Sequence, residues 1–256
     1  MLDRYWRVVA TAIGFVVFGI GCVAMGVVAL PVLLVTTKDA VRRAHRAQAL
    51  THYAFRLFVR LICLIGVITV EVHGRQLLRR SGLLILANHP SLIDVVLLLS
   101  LLRRATCVVK SRLWENPLTR GPVLATGYIS NSQDSRLIDE GVAVLQRGEN
   151  LLMFPEGTRT RLNSPIRLQR GAVNIAMRAN CAVTPVVIRV STPILTKGAK
   201  WYRVPPTRPH FVIEVTDDID VKAYLARNRS ISLAARELTS WLQGFFQGEI
   251  GQIASA

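Results

Sequence analysis

Two short segments of this 256-residue chain hold side chains that can do chemistry. In Asn88-His89-Pro90-Ser91-Leu92-Ile93-Asp94, an imidazole precedes a carboxylate by five positions. A carboxylate beside one ring nitrogen fixes the tautomer. It also stabilises the imidazolium that forms when the other nitrogen takes a proton. That is the equipment of a general base acting on an alcohol. Five positions inside one continuous helix would turn the two side chains roughly 140° apart. The pair can meet only if His89 lies outside the helix. Pro90 favours this, because it disfavours helical geometry in the preceding residue and suits a first helical turn. The spacing predicts His89 in a strand-to-helix turn, Pro90 opening the helix, and the ring folded back towards Asp94. Ser91 as a nucleophile is a competing reading, but no nucleophile-elbow pattern surrounds it. A serine at this place reads as a helix-end hydrogen-bonding group. A histidine standing alone would read as a core residue. A His/Asp metal site would need more ligands, and His45, His52, His73 and His210 show no ligand spacing.

The second segment is Phe154-Pro155-Glu156-Gly157-Thr158-Arg159-Thr160. Gly157 permits a tight turn with exposed backbone amides. Arg159 suits a phosphate gripped by two parallel hydrogen bonds. Glu156 could accept hydrogen bonds from polyol hydroxyls or orient Arg159. The bland alternative is an ordinary turn with a local ion pair. Arg170 and Gly171 fall at a helix start, another place for an anion.

The elements that must carry these residues alternate in type. Leu83–Ala87, Thr106–Val109, Gly127–Ser130, Leu151–Phe154, Val183–Val190 and Phe211–Val215 read as strands. Ser91–Leu102, Leu137–Arg147, Gly171–Ala179 and Ser232–Phe246 read as helices. The expected fold is α/β: a largely parallel or mixed sheet flanked by helices, behind an N-terminal membrane-anchoring helical region. Ligands of such sheets gather beyond the carboxyl ends of the strands, where both segments lie. The chain divides into an anchoring region, 1–70, and an α/β domain, 71–256. Pro205, Pro206 and Pro209 mark a loop before the last strand.

No charged residue occurs from Val8 to Thr37. About 20 apolar residues suffice to cross a bilayer core, and a cleaved signal would have an apolar region of only ~7–15. Residues 40–61 read as an amphipathic helix, with Arg42, Arg46, Arg56 and Arg60 on one stripe. Such a helix can lie among lipid headgroups. A true span and a hairpin dipping into one leaflet both remain open. The formal charge is +16 and 51% of residues are hydrophobic. That charge calls for an anionic partner. Aromatics are only 7% and no recognition motif appears, so anionic lipid explains the charge better than nucleic acid. The four cysteines stand far apart, with neither a disulfide framework nor a zinc pattern.

Together the two segments resemble the glycerolipid acyltransferase family. The family's first motif, a histidine, four residues and an aspartate, is matched by Asn88 to Asp94. Its third, Phe-Pro-Glu-Gly-Thr-Arg, stands unbroken from Phe154 to Arg159. A weaker fourth motif is matched by Val183-Thr184-Pro185-Val186, and Arg170-Gly171-Ala172 resembles a basic-Gly-Ala segment. The resemblance implies acyl transfer from acyl-CoA or acyl-carrier protein to a lysolipid hydroxyl, with 1-acylglycerol-3-phosphate as the leading acceptor. It implies His89 as base, Asp94 as its partner, and Glu156, Gly157, Thr158 and Arg159 holding the acceptor's glycerol and phosphate. Lys110 and Arg170 would be further cations. Neither metal nor cofactor is expected. The expected setting is the cytoplasmic membrane, with the site facing the cytosol. The second motif departs from the family. Gly127-Tyr128-Ile129-Ser130-Asn131-Ser132 has no cation where the family places an arginine. Lys110, Arg112 or Arg136 would have to compensate. Otherwise a non-phosphate acceptor such as lyso-ornithine lipid gains ground. A non-catalytic lipid-binding protein is the remaining alternative.

Overall fold

A computed structural model describes residues 2–131, 135–160 and 164–251. The chain opens with helix α1, Leu2–Ala24, which continues through a π-helical turn, Met25–Ala29, into α2, Leu30–Thr36. Pro31 sits in the first turn of α2. Proline has no N–H to donate and its ring crowds the carbonyl four residues back. A π turn is one way a continuing helix absorbs that defect. Asp3–Thr36 is long and apolar enough to cross a membrane, with mean hydropathy 2.5 and only 11% of its apolar window buried.

The chain then reverses into α3, Ala40–Leu64, whose cap Asp39 accepts from the Arg42 N–H at 2.7 Å. This helix is amphipathic in an unusual sense. Its buried residues include the polar Gln48, Thr51 and His52. Gln48 donates to the Thr126 carbonyl at 3.0 Å, and His52 Nδ1 donates to that of Leu99 at 3.0 Å. Leu50, Leu57 and Leu64, one heptad apart, are 42%, 70% and 86% exposed. The helix thus docks a polar stripe on protein and turns apolar side chains outward. In water such a face would be unfavourable; against lipid it is not.

The remaining elements alternate. They are β1 Thr69–His73, β2 Leu84–Ala87, α4 Asp94–Leu99, β3 Thr106–Val109, α5 Arg112–Glu115, α6 Pro117–Thr126 and β4 Ile129–Ser130. Next come α7 Ser135–Gln146, β5 Leu151–Met153, α8 Gly171–Ala179, β6 Val183–Val190, β7 His210–Val215, α9 Val221–Arg227 and α10 Ile231–Gly251. The sheet order is β1-β7-β6-β2-β5-β3-β4. Pairing is parallel throughout except between β6 and β7, so the expected mixed α/β sheet is present. Side chains of a strand alternate between faces. Ile85 and Ala87 therefore join the core under α3, α4 and α6, while Leu84 and Leu86 join the core under α7, α8 and α10. Ala10 of α1 and Ile62 of α3 belong to the first of these cores. The anchoring helices are packed onto the sheet.

Several boundaries differ from the sequence reading. β1, Thr69–His73, was not among the expected strands. Gly127, expected in a strand, is the left-handed cap of α6 (φ 64°), and only Ile129–Ser130 pairs. α6 itself was not expected, because Pro122 lies inside it. The helix expected from Ser91 begins only at Asp94. Pro90 therefore does not open it; Ser91 to Ile93 form turns held by side chains.

Candidate active site

The three neighbouring parallel strands β2, β5 and β3 point their carboxyl ends the same way. Chain order then puts His89, Phe154 and Lys110 beside one another, just past those ends. Asn88 secures the first. Its amide donates to the Ile188 carbonyl at 2.8 Å and accepts the Ile188 N–H at 2.7 Å, tying the β2 exit to β6. His89 follows outside any helix, as the spacing demands. Its Nδ1 lies 2.8 Å from Asp94 Oδ2. The same carboxylate oxygen accepts the Ser91 N–H at 2.7 Å. An imidazole that donates through Nδ1 leaves Nε2 as the lone pair available for a proton. Phe154 supports the ring at a centroid distance of 4.3 Å. Asp94 is fully buried. Burial pushes its carboxyl above the ordinary range, and the bonds from His89 and Ser91 oppose that shift.

Ser91 is buried and donates its hydroxyl to the Ile194 carbonyl at 2.8 Å. That bond makes it a tether. It pulls the long connection after β6 over the site, as does the Leu92 N–H on the Leu195 carbonyl at 3.2 Å.

In the second segment, Gly157 takes φ +65°, and a Cβ there would lie 2.6 Å from the Gln169 amide. Only glycine adopts this conformation without strain. Arg159 Nη1 donates to the carbonyls of Leu195, at 2.7 Å, and Thr196, at 3.0 Å. Glu156 turns towards protein. Its Oε1 accepts the His89 N–H at 3.0 Å and the Thr160 hydroxyl at 2.7 Å. Burial raises the Glu156 carboxyl, against those two bonds. The Thr158 hydroxyl is buried with no hydrogen-bond partner among the described residues.

A cavity of about 540 Å³ opens at His89. Much of its wall is apolar: Phe15 and Phe18 of α1, Phe55 and Phe58 of α3, and Val96 and Leu99 of α4. Lys110, Arg112, Gly157 and Arg159 also line it. Glu156, Thr158 and Arg170 do not, and Arg170 is exposed at the start of α8. In the departing stretch, Tyr128 and Asn131 line the cavity, and Ser132 lies outside the described residues. Desolvation, together with the positive charges of Lys197, Arg159 and Arg112, holds the Lys110 ammonium below its usual range. Four cations thus gather near the cavity. Lys197 was not expected. Its loop carries no motif, and its one signal was local charge, since Lys200 and Arg203 follow closely. Among the described residues, no group of three or more His, Cys, Asp or Glu could hold a metal ion.

Comparisons with known proteins find one family and several relatives. Residues 69–189 match the family described as Acyltransferase. A 1-acyl-sn-glycerol-3-phosphate acyltransferase of Cocos nucifera is 26% identical over 157 residues, covering 58% of this chain and 51% of that protein. A lyso-ornithine lipid O-acyltransferase of Pseudomonas aeruginosa is 37% identical over 113 residues, covering 43% of each. The chain thus spans about half the length of these curated relatives. The crystal structure of the 1-acyl-sn-glycerophosphate acyltransferase of Thermotoga maritima superposes with a TM-score of 0.66 at 17% identity. It covers 99% of this chain and 98% of its own, which is a likeness of fold. The Acyltransferase match over residues 69–189 takes in both the His89–Asp94 pair and the Glu156–Arg159 turn.

Proposed function

We propose that this protein transfers an acyl chain from acyl-CoA or acyl-carrier protein to the free hydroxyl of 1-acylglycerol-3-phosphate. The observation that carries the reading is the His89–Asp94 pair, 2.8 Å apart, with His89 on the wall of a largely apolar cavity beside four cations. In this mechanism Nε2 of His89 takes the acceptor's hydroxyl proton as its oxygen attacks the thioester carbonyl. Asp94 balances the imidazolium. The tetrahedral intermediate collapses, the C–S bond breaks, and His89 returns the proton to the departing thiol. No acyl-enzyme, metal or cofactor takes part. The cavity takes the acyl chain. Lys110, Arg112, Arg159 and Lys197 hold the acceptor phosphate. The outward leucines of α3 and the apolar α1 support a membrane setting, which in this reading is the cytoplasmic membrane with the site on its cytosolic side.

A second acceptor is favoured by one observation. Asn131 stands on the cavity wall in the stretch where the family carries an arginine, and one relative acylates lyso-ornithine lipid. A panel of lysolipids given to membranes carrying the full chain, with labelled acyl-CoA and acyl-carrier protein, tests both. The expected product is phosphatidic acid. Acylation of lyso-ornithine lipid alone would replace the first acceptor with the second. No acylation of any acceptor would leave a lipid-binding protein. His89→Ala is expected to lose about 10²–10⁴-fold in kcat, the usual worth of a positioned acid–base group. A fully active His89→Ala would refute the base.

A further inference from the structure

Both backbone polar groups of His89 are held by a single turn. Its N–H donates to Glu156 Oε1 at 3.0 Å, and its carbonyl accepts the Thr160 N–H at 2.7 Å. The Thr160 hydroxyl donates to the same Glu156 oxygen at 2.7 Å. These bonds close a ring between the exit of β2 and the exit of β5. Residues 88–90 have no helix or strand bonds of their own. On the other side Asn88 grips the neighbouring strand β6. Asp94 sets how the imidazole is turned, while the backbone sets where it stands. Glu156 does not line the cavity, although Pro155 and Gly157 on either side of it do.

We infer that Glu156 is a positioning residue that fixes the His89 backbone, with Thr160 orienting its carboxylate, and that it does not bind the acceptor. This rests on His89 being the base. A base displaced by 1 Å can lose about 10²-fold in rate while substrates still bind. The Glu156 oxygen acts only as an acceptor, so an amide oxygen can take its place.

The test uses the full chain in detergent. Glu156→Ala is expected to lower kcat about 10²-fold, with both substrates' KM changed by less than about twofold. Glu156→Gln keeps an acceptor oxygen and is expected to recover most of that turnover. Thr160→Val is expected to fall between them, and Thr160→Ser to restore wild-type kcat. A raised acceptor KM at unchanged kcat, or a Glu156→Gln as impaired as Glu156→Ala, overturns the inference. If Glu156→Ala does not fold, the two Thr160 variants decide, and a wild-type kcat in Thr160→Val overturns it. A downfield imidazole proton resonance, assigned to His89 by its loss in His89→Ala, reads the geometry without turnover. It is expected in wild type and Glu156→Gln and broadened in Glu156→Ala; an unchanged signal overturns the inference. Wild type that acylates no acceptor fails the functional reading alone, and this resonance then decides the positioning role.

Discussion

His89 and Asp94 lie within seven consecutive residues, and local chemistry alone brought them together on paper: a proline, a spacing and two titratable groups. Their contact at 2.8 Å follows from that short loop. Lys197 is the opposite case. Its place beside Lys110 depends on Ser91 and Arg159 pulling distant carbonyls at Ile194, Leu195 and Thr196 over the site. Nothing near residue 197 announces those partners. Glu156 was legible as a functional carboxylate, but its target was not, since that target is a backbone N–H 67 residues away. The cationic reading of Lys197 makes a direct prediction. Lys197→Ala should raise KM for 1-acylglycerol-3-phosphate about two- to fivefold, the worth of one exposed charge contact of ~0.5–1 kcal/mol. The difference should shrink at high salt, because exposed charges are screened. Acceptor titrations at low and high ionic strength check it; equal KM values at low salt would remove Lys197 from the site.

Among the elements, β3, β6 and α8 were read with their observed ends, because apolar runs and turn residues bounded them locally. α6 was hidden by Pro122, although Asn116 and Pro117 mark its start well. α4 lost its expected first turn because the Ser91 N–H is taken by the Asp94 carboxylate and its hydroxyl by the distant Ile194 carbonyl. One tertiary tie can be tested by pH. Arg80, after β1, donates to both Asp218 oxygens, at 2.5 and 3.0 Å, and Thr184 of β6 donates to the same carboxylate at 2.7 Å. The Arg80 bond, chiefly, holds the Asp218 carboxyl below its usual value. A depressed carboxylate stabilises the fold above its unfolded pKa of about 3.9 and loses that stabilisation as pH falls through the folded value. The pair is partly exposed, so ~0.5–1 kcal/mol is the expected size. Asp218→Asn should lower Tm by about 2 °C at neutral pH, and the gap should close below about pH 4. Thermal unfolding at pH 7 and pH 3 measures both; a gap independent of pH would mean the charge contributes nothing.

For the molecule as a whole, the anchoring helices and the catalytic wall are the same structure. Arg7 of α1 is 3% exposed and donates to the carbonyls of Pro205, at 3.2 Å, and Pro206, at 2.5 Å. Trp6 donates to the Ile65 carbonyl at 2.9 Å, so the start of α1 lies beside the end of α3. Phe18 then meets Phe55 at 6.0 Å and Phe58 at 5.5 Å across the hairpin. These rings form the cavity wall, and the far side of α1 is apolar and largely uncovered. Under the proposed function, such a helix meets lipid on one face and substrate on the other. The cavity's apolar walls should then decide which acyl chains enter, while the cations decide the acceptor. In an apolar pocket one methylene is worth about 1–3 kcal/mol. Phe55→Ala enlarges the wall without touching His89 or Lys110. It should weaken discrimination against chains one methylene too long by about tenfold. Relative rates among acceptors should not change. Competition between acyl donors of graded length, read as kcat/KM ratios, measures this. An unaltered chain-length profile would show that the acyl chain lies elsewhere. An altered acceptor profile would show that the two ends of the cavity are not separate.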